Sequence, residues 1–167
     1  MLLKKDLIER LHNSKIQYKL HEHQALHTVK ESEQKRGQIE GAHTKNLFLK
    51  NKKNEFFLFS CHENRNIDLK TIGKSLKLGN ISFAKEKYLI QYLGVKPGSV
   101  TPFGLLNDTE NIINFYLDEF LLNFNKINFH PLVNTSTITI ELKKFINFLV
   151  KNKKKVNIFN FKTYSLI

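Results

Sequence analysis

Apolar residues at Leu3, Leu7, Ile8 and Leu11 recur with helical spacing, while Lys4, Lys5, Glu9 and Arg10 fall on the opposite face. This pattern predicts an amphipathic helix ending near His12 and Asn13. Residues 16–21 alternate between apolar and polar and predict a strand. Thr28 with Glu31 three positions on forms a capping box, which predicts a helix over 29–38. Residues 44–50 and 55–60 flank a polar tetrad at 51–54 and predict a hairpin. Asp68 is placed to cap a short helix reaching Leu76, and a brief strand follows at 81–83. Residues 85–93 predict a helix stopped by Gly94 and then Pro97.

Two β-rich runs, 111–117 and 135–140, precede a helix over 141–150 whose apolar positions are Leu142, Phe145, Ile146 and Leu149. Residues 156–159 predict a last strand, and the lysine run at 151–155 reads as a solvated helix end favoured by the helix dipole. Helices interleave with strands, yet a hairpin is present. The expected fold is therefore mixed α+β, built on a mixed sheet rather than a purely parallel one. No internal repeat or linker interrupts the pattern, and 167 residues suit a single domain over 1–167.

Composition narrows the class. Fourteen Phe residues supply bulk for a real core, and no apolar run approaches the ~18 residues of a membrane span. Charges within the first six residues oppose a signal peptide. Cys61 is the sole cysteine, so an internal disulfide is excluded and a reducing, cytoplasmic location without membrane association is expected. The net charge of +12 fits a polyanionic partner such as nucleic acid. It also fits a chain rich in Lys and Asn throughout. Arginine occurs only at positions 10, 36 and 65, which argues against sequence-specific base readout.

Several residues are candidates for chemistry. His21, His23 and His27 could in principle gather round zinc, but no carboxylate or cysteine stands at a recognised zinc spacing, so no metal is expected. Cys61 and His62 adjoin, and on a strand adjacent side chains point to opposite faces; a buried structural cysteine is the better reading. Lys45 and Asn46 stand near the start of a predicted strand, where an ammonium and an amide could meet a ligand. An exposed lysine beside a turn asparagine explains them equally simply. His130 precedes Pro131, which restrains its backbone. The segment from Gly94 to Pro102 holds two prolines that fix φ and a Gly98 that tolerates conformations closed to other residues. Between them Ser99, Val100 and Thr101 offer amides and hydroxyls suited to holding a carbonyl or oxyanion. No phosphate-binding P-loop, dinucleotide fingerprint or nucleophile elbow occurs.

Five strings, HTKNLFLK (43–50), IDLKTIGKSL (67–76), ISFA (81–84), LGVKPGSVTPFGLLND (93–108) and HPLVNTSTITI (130–140), occur in this order. Together they resemble the YbaK/ProX superfamily of aminoacyl-tRNA deacylases. Within it they most resemble the free-standing branch that hydrolyses alanine wrongly attached to proline tRNA. The resemblance implies a central mixed, partly barrel-like sheet surrounded by helices, and a trans-acting protein rather than a synthetase insertion. It implies that Lys45 engages the phosphate or ribose at the tRNA 3′ end and that Asn46 supports the terminal nucleotide. Gly98, Ser99, Val100, Thr101 and Pro102 match a loop whose backbone holds the aminoacyl carbonyl and the attacking water. His130 matches a histidine near the bound acceptor end. No metal or other cofactor is implied, since the substrate's own ribose hydroxyl assists. The implied partners are the aminoacylated acceptor end of tRNA(Pro) and prolyl-tRNA synthetase. Residues 151–155 lack the Gly-His common after the last helix in relatives. Deacylation of cysteinyl or seryl tRNA, or tRNA binding without catalysis, stays open at this level.

Overall fold

The computed structural model describes residues 1–25 and 39–167. The helix expected over 29–38, and His27 with it, lie outside the described residues. Helix α1 (Lys4–Asn13) buries Leu7 and Leu11 as its pattern requires, and Lys4 reaches from it to Glu22 at 2.6 Å. Strand β1 (Tyr18–Glu22) begins two residues later than its alternation suggests. β2 (Ala42–Asn51) and β3 (Phe56–His62) form the expected hairpin. Asp68 caps α2 (Leu69–Ser75), its carboxylate accepting the Thr71 amide at 3.1 Å. β4 (Ile81–Phe83) leads to α3 (Glu86–Tyr88), which continues as a π-helical turn over Leu89–Leu93.

After a 3₁₀ turn at Pro102–Asn107 come β5 (Ile113–Asp118) and a second 3₁₀ turn at Glu119–Asn123. β6 (Lys126–Phe129), β7 (Ser136–Glu141), α4 (Leu142–Lys151), β8 (Asn157–Asn160) and β9 (Ser165–Leu166) complete the chain. β6 and β9 have no counterpart in the sequence reading. β6 offers only two apolar residues to the core, and β9 is two residues long.

Among the described residues the nine strands run in the order β1-β7-β6-β2-β3-β5-β8-β9, with β4 added to β2. The sheet is mixed: β2–β6, β3–β5 and β5–β8 are parallel, the other pairs antiparallel. Two leaves therefore share β2. One face of β2 and β3 (Ala42, Phe48, Phe56, Leu58) joins Ile127, Phe129, Ile138 and Ile140 of the other leaf in the larger apolar cluster. The sheet thus curls around that cluster, which α1 and α4 close. The opposite face (Leu49, Phe57, Phe59, Cys61) packs on Ile72, Tyr116 and Phe159 in a smaller one.

Phe103 anchors the larger cluster. Fully buried, its ring meets Phe129, Phe145 and Phe148 edge-on at 6.0, 5.6 and 6.4 Å, the arrangement aromatic quadrupoles favour. The lysine run departs from expectation. Lys154 turns inward, donating to the Asp108 carbonyl and to Asn111 Oδ1, and its partial burial lowers its pKa. It ties the end of α4 to the loop before β5. Phe103→Ala is expected to cost about 3–5 kcal/mol, read as a lower urea midpoint at unchanged slope.

Candidate active site

The site is built where the two leaves part. β2 gives one edge to β3 over residues 44–50. Its other edge pairs with β6 at Ala42 and His43 only, and with β4 from Leu49 to Asn51. Residues 44–48 of that edge carry no strand partner among the described residues. Gly41 makes the β2–β6 approach possible: at φ +91°, a Cβ there would lie 2.8 Å from the Lys126 carbonyl oxygen. Thr44 Oγ1 donates to the Asn128 carbonyl at 2.8 Å just where the ladder stops. Continuing the parallel register by two residues sets Lys45 level with His130.

Lys45 and Asn46 are placed differently from the sequence expectation. The strand starts at Ala42, so both lie well inside it, and their side chains leave on opposite faces. Asn46 lies on the larger-cluster face opposite Ser60, whose hydroxyl donates to its Oδ1 at 2.6 Å. Lys45 lies opposite Cys61 on the other face, and its ammonium donates to the Arg65 carbonyl. Arg65 is held in turn by Asp118, with Nε on Oδ2 at 2.8 Å and a second guanidinium nitrogen on Oδ1 at 3.1 Å. Asp118 is fully buried and also accepts the amides of His62 and Phe120. This bidentate pair raises the Arg65 pKa further and fixes the carbonyl that receives Lys45.

The loop after Gly94 resolves into two turns. Ser99 donates its amide to the Lys96 carbonyl at 3.1 Å, and Gly98 has φ +84°. This is a type II turn with Pro97 and Gly98 at its centre. The demand on Gly98 is thus conformational, because a Cβ there would meet only Asn134 Nδ2, at 3.6 Å. Thr101 is buried, and its hydroxyl accepts the Phe103 amide at 3.4 Å. It caps the 3₁₀ turn that Pro102 starts. The Ser99 amide and the Thr101 hydroxyl therefore serve the loop's own fold, and the amides of Gly98, Val100 and Thr101 lie outside those bonds.

The proximity of Gly98 to Asn134 places this loop on the turn that links β6 to β7. His130 opens that turn. Its Nδ1–H donates to the Ser136 carbonyl at 3.0 Å, so the neutral ring carries its lone pair on Nε2. Leu132, in the same turn, holds φ +67°, a strained geometry for a bulky residue. His23 stands beside His130 with ring centroids 6.5 Å apart. Its Nδ1–H donates to the Gln24 carbonyl and its Nε2 accepts from Thr137. His21 bonds Thr139. Among the described residues no group of three His, Cys, Asp or Glu side chains is placed to hold a metal, and no helix is long and apolar enough to cross a membrane.

Loop 98–101 is thus brought to the turn that starts at His130, while Lys45 leaves β2 on the face opposite to Asn46. Arg65, Asp118, Ser60 and Asn134 were not singled out by the sequence reading. The rarity of arginine is the one signal that could have marked Arg65. Cys61 is fully buried, and burial pushes its thiol up to about 12; it is protonated at neutral pH and cannot serve as a nucleophile. Alkylation of Cys61 is expected to be negligible at pH 8 in native protein and complete in denaturant, as followed by mass spectrometry.

A sequence model of the aminoacyl-tRNA editing domain matches residues 23–148, well over half of the chain. Prolyl-tRNA synthetase associated domain-containing protein 1 of Xenopus laevis is 34% identical over 154 residues, covering 89% of this chain and 91% of its own length. Prolyl-tRNA editing protein ProX of Acetoanaerobium sticklandii is 32% identical over 147 residues, covering 86% and 90%. A crystal structure of a protein proposed as a trans-editing enzyme for prolyl tRNA synthetase superposes with TM-score 0.68 at 21% identity, covering 93% of this chain and 96% of that one. At that identity the superposition speaks for the fold.

Proposed function

The chain belongs to the aminoacyl-tRNA editing domain family, and we propose that it is a trans-editing deacylase that hydrolyses the ester of Ala-tRNA(Pro). The observation that carries this reading is the seating of Gly98 against Asn134. It puts the amide-bearing loop on the turn that starts at His130, beside the open edge of β2. The names of the relatives, a prolyl-tRNA editing protein and a prolyl-tRNA synthetase associated protein, support proline tRNA as the acceptor and prolyl-tRNA synthetase as a cytoplasmic partner. The net charge of +12 suits a tRNA.

The reaction asks little of the protein beyond positioning. Water adds to the ester carbonyl, negative charge develops on its oxygen, and the ribose oxygen leaves with a proton to give alanine and free tRNA. Amides of Gly98, Val100 and Thr101 supply preorganised donors for the carbonyl and its oxyanion. Lys45, oriented by the Arg65 carbonyl, supplies a point charge for a 3′-terminal phosphate or ribose oxygen. Asn46, held by Ser60, supports the terminal nucleotide. His130, its ring held by the Ser136 carbonyl, stands near the acceptor end. Selectivity on this reading comes from rejecting the proline ring by its size, since steric exclusion discriminates more strongly than the gain from one methylene.

Assays against alanyl, cysteinyl and seryl tRNAs test the substrate. Ala-tRNA(Pro) should be hydrolysed fastest, and Lys45→Ala should lower kcat/KM by about 100-fold or more. Equal rates for wild type and Lys45→Ala would reject the reading. In the loop, Gly98→Val should abolish most activity because valine resists positive φ. Ser99→Ala should change kcat less than about threefold, given that the contribution comes from backbone donors. Equal losses would move the chemistry to the hydroxyl.

A further inference from the structure

At the far end of β2, away from the split, lies a basic cleft of about 310 Å³. Lys50, Lys52, Lys85 and Lys87 line it together with Phe83 and Tyr88, over a floor that includes Ile81. Two of the ammonium groups sit over one ring: Lys50 lies 5.1 Å and Lys87 4.8 Å from the Tyr88 centroid. With Lys52 and Lys85 these ammonium groups line one cleft, where like charges repel and an entering anion relieves the repulsion. Phe83 is 62% exposed on the outer edge of β4, an apolar face at the mouth of a cationic cleft. Two carboxylates are close in sequence. Glu55 is engaged by the Asn51 side-chain amide at 2.5 Å, and Glu86 is exposed between Lys85 and Lys87.

We propose that this cleft docks the sugar–phosphate backbone of the RNA substrate, with one base laid on Phe83. The proposal rests on the editing reading above and extends it to a place remote from the ester. Lysines that track a backbone beside an exposed aromatic ring are the pairing by which single-stranded nucleic acid is held without sequence preference. A protein partner would be served by fewer lysines and a larger apolar centre. The geometry connects the cleft to the active site. Asn46 and Lys50 leave β2 on the same face, and four residues of strand separate them by about 13 Å. A few nucleotides of unpaired 3′ end span that distance, so the ester can rest near Asn46 while the strand leading to it crosses the lysines.

The test is binding of uncharged tRNA(Pro) by fluorescence anisotropy across a salt series, a readout independent of hydrolysis. Lys85→Gln with Lys87→Gln, both at exposed positions, should weaken binding. It should also lower the slope of log affinity against log salt by about 0.7–0.9 for each phosphate no longer neutralised. Phe83→Ala should weaken binding about tenfold while leaving the slope unchanged. The control pair Lys70→Gln with Lys74→Gln, exposed on α2, removes the same charge elsewhere and should leave the slope near wild type. If the cleft pair behaves as the control pair does, or if the wild-type protein does not bind tRNA, the proposal is overturned. Hydrolysis by a wild type whose cleft variants bind normally would reject the cleft and leave editing standing. Cleft-dependent binding without hydrolysis would do the reverse.

Discussion

The carboxamide of Asn128 is the joint on which both leaves of the sheet hang. It is 3% exposed and fully employed: its Nδ2 donates to the Glu40 and Ala42 carbonyls, and its Oδ1 accepts from Thr139. Its own carbonyl accepts from Thr44. A buried amide with every partner present holds three segments at fixed spacing, whereas one deprived of a partner costs about 1–3 kcal/mol. Here it joins the entry to β2, the middle of β6 and the centre of β7. The β2–β6 ladder can then be as short as two residues, because a side chain carries what the backbone does not. With the ladder ended early, the two strands diverge. Among the described residues the β2 edge then runs without a strand partner beyond His43 as far as Phe48, and the turn after β6 carries the 98–102 loop.

At the split, the Lys45 ammonium is oriented by a neutral oxygen. Lys45 rests on a peptide carbonyl rather than on a carboxylate, so its position is set without its charge being neutralised. The carboxylate that does the holding, Asp118, acts one residue removed, through the guanidinium of Arg65. Its two oxygens meet guanidinium nitrogens and two backbone amides, which offsets the desolvation that burial of the pair imposes. Elsewhere, carboxylates meet ammonium groups directly. Glu40 accepts from both Lys19 and Lys126, whose hydrogen bonds hold its pKa down at about 2. That contact clamps the outer rim of the joint between β1 and β6.

Local pattern alone set α1, the β2–β3 hairpin, the Asp68 cap, β4, β7 and α4, because each has its period and its stop signals within a dozen residues. The contiguous family strings brought out Lys45, Asn46, the 98–102 loop and His130 for the same reason. β6 was invisible: a four-residue strand whose central residue is polar has no period to detect, and Asn128 reads as a surface residue until its three partners are present. Arg65 and Asp118, 53 positions apart, became one unit only through the pairing of β3 with β5. So spacing determined most of the elements, and the five contiguous strings marked the family and the candidate residues of the site. Tertiary structure decided what each face meets: Asn46 meets Ser60 while Lys45 meets the Arg65 carbonyl, and Lys154 turns inward to the Asp108 carbonyl. Those choices depend on contacts between segments distant along the chain, and no local period encodes them.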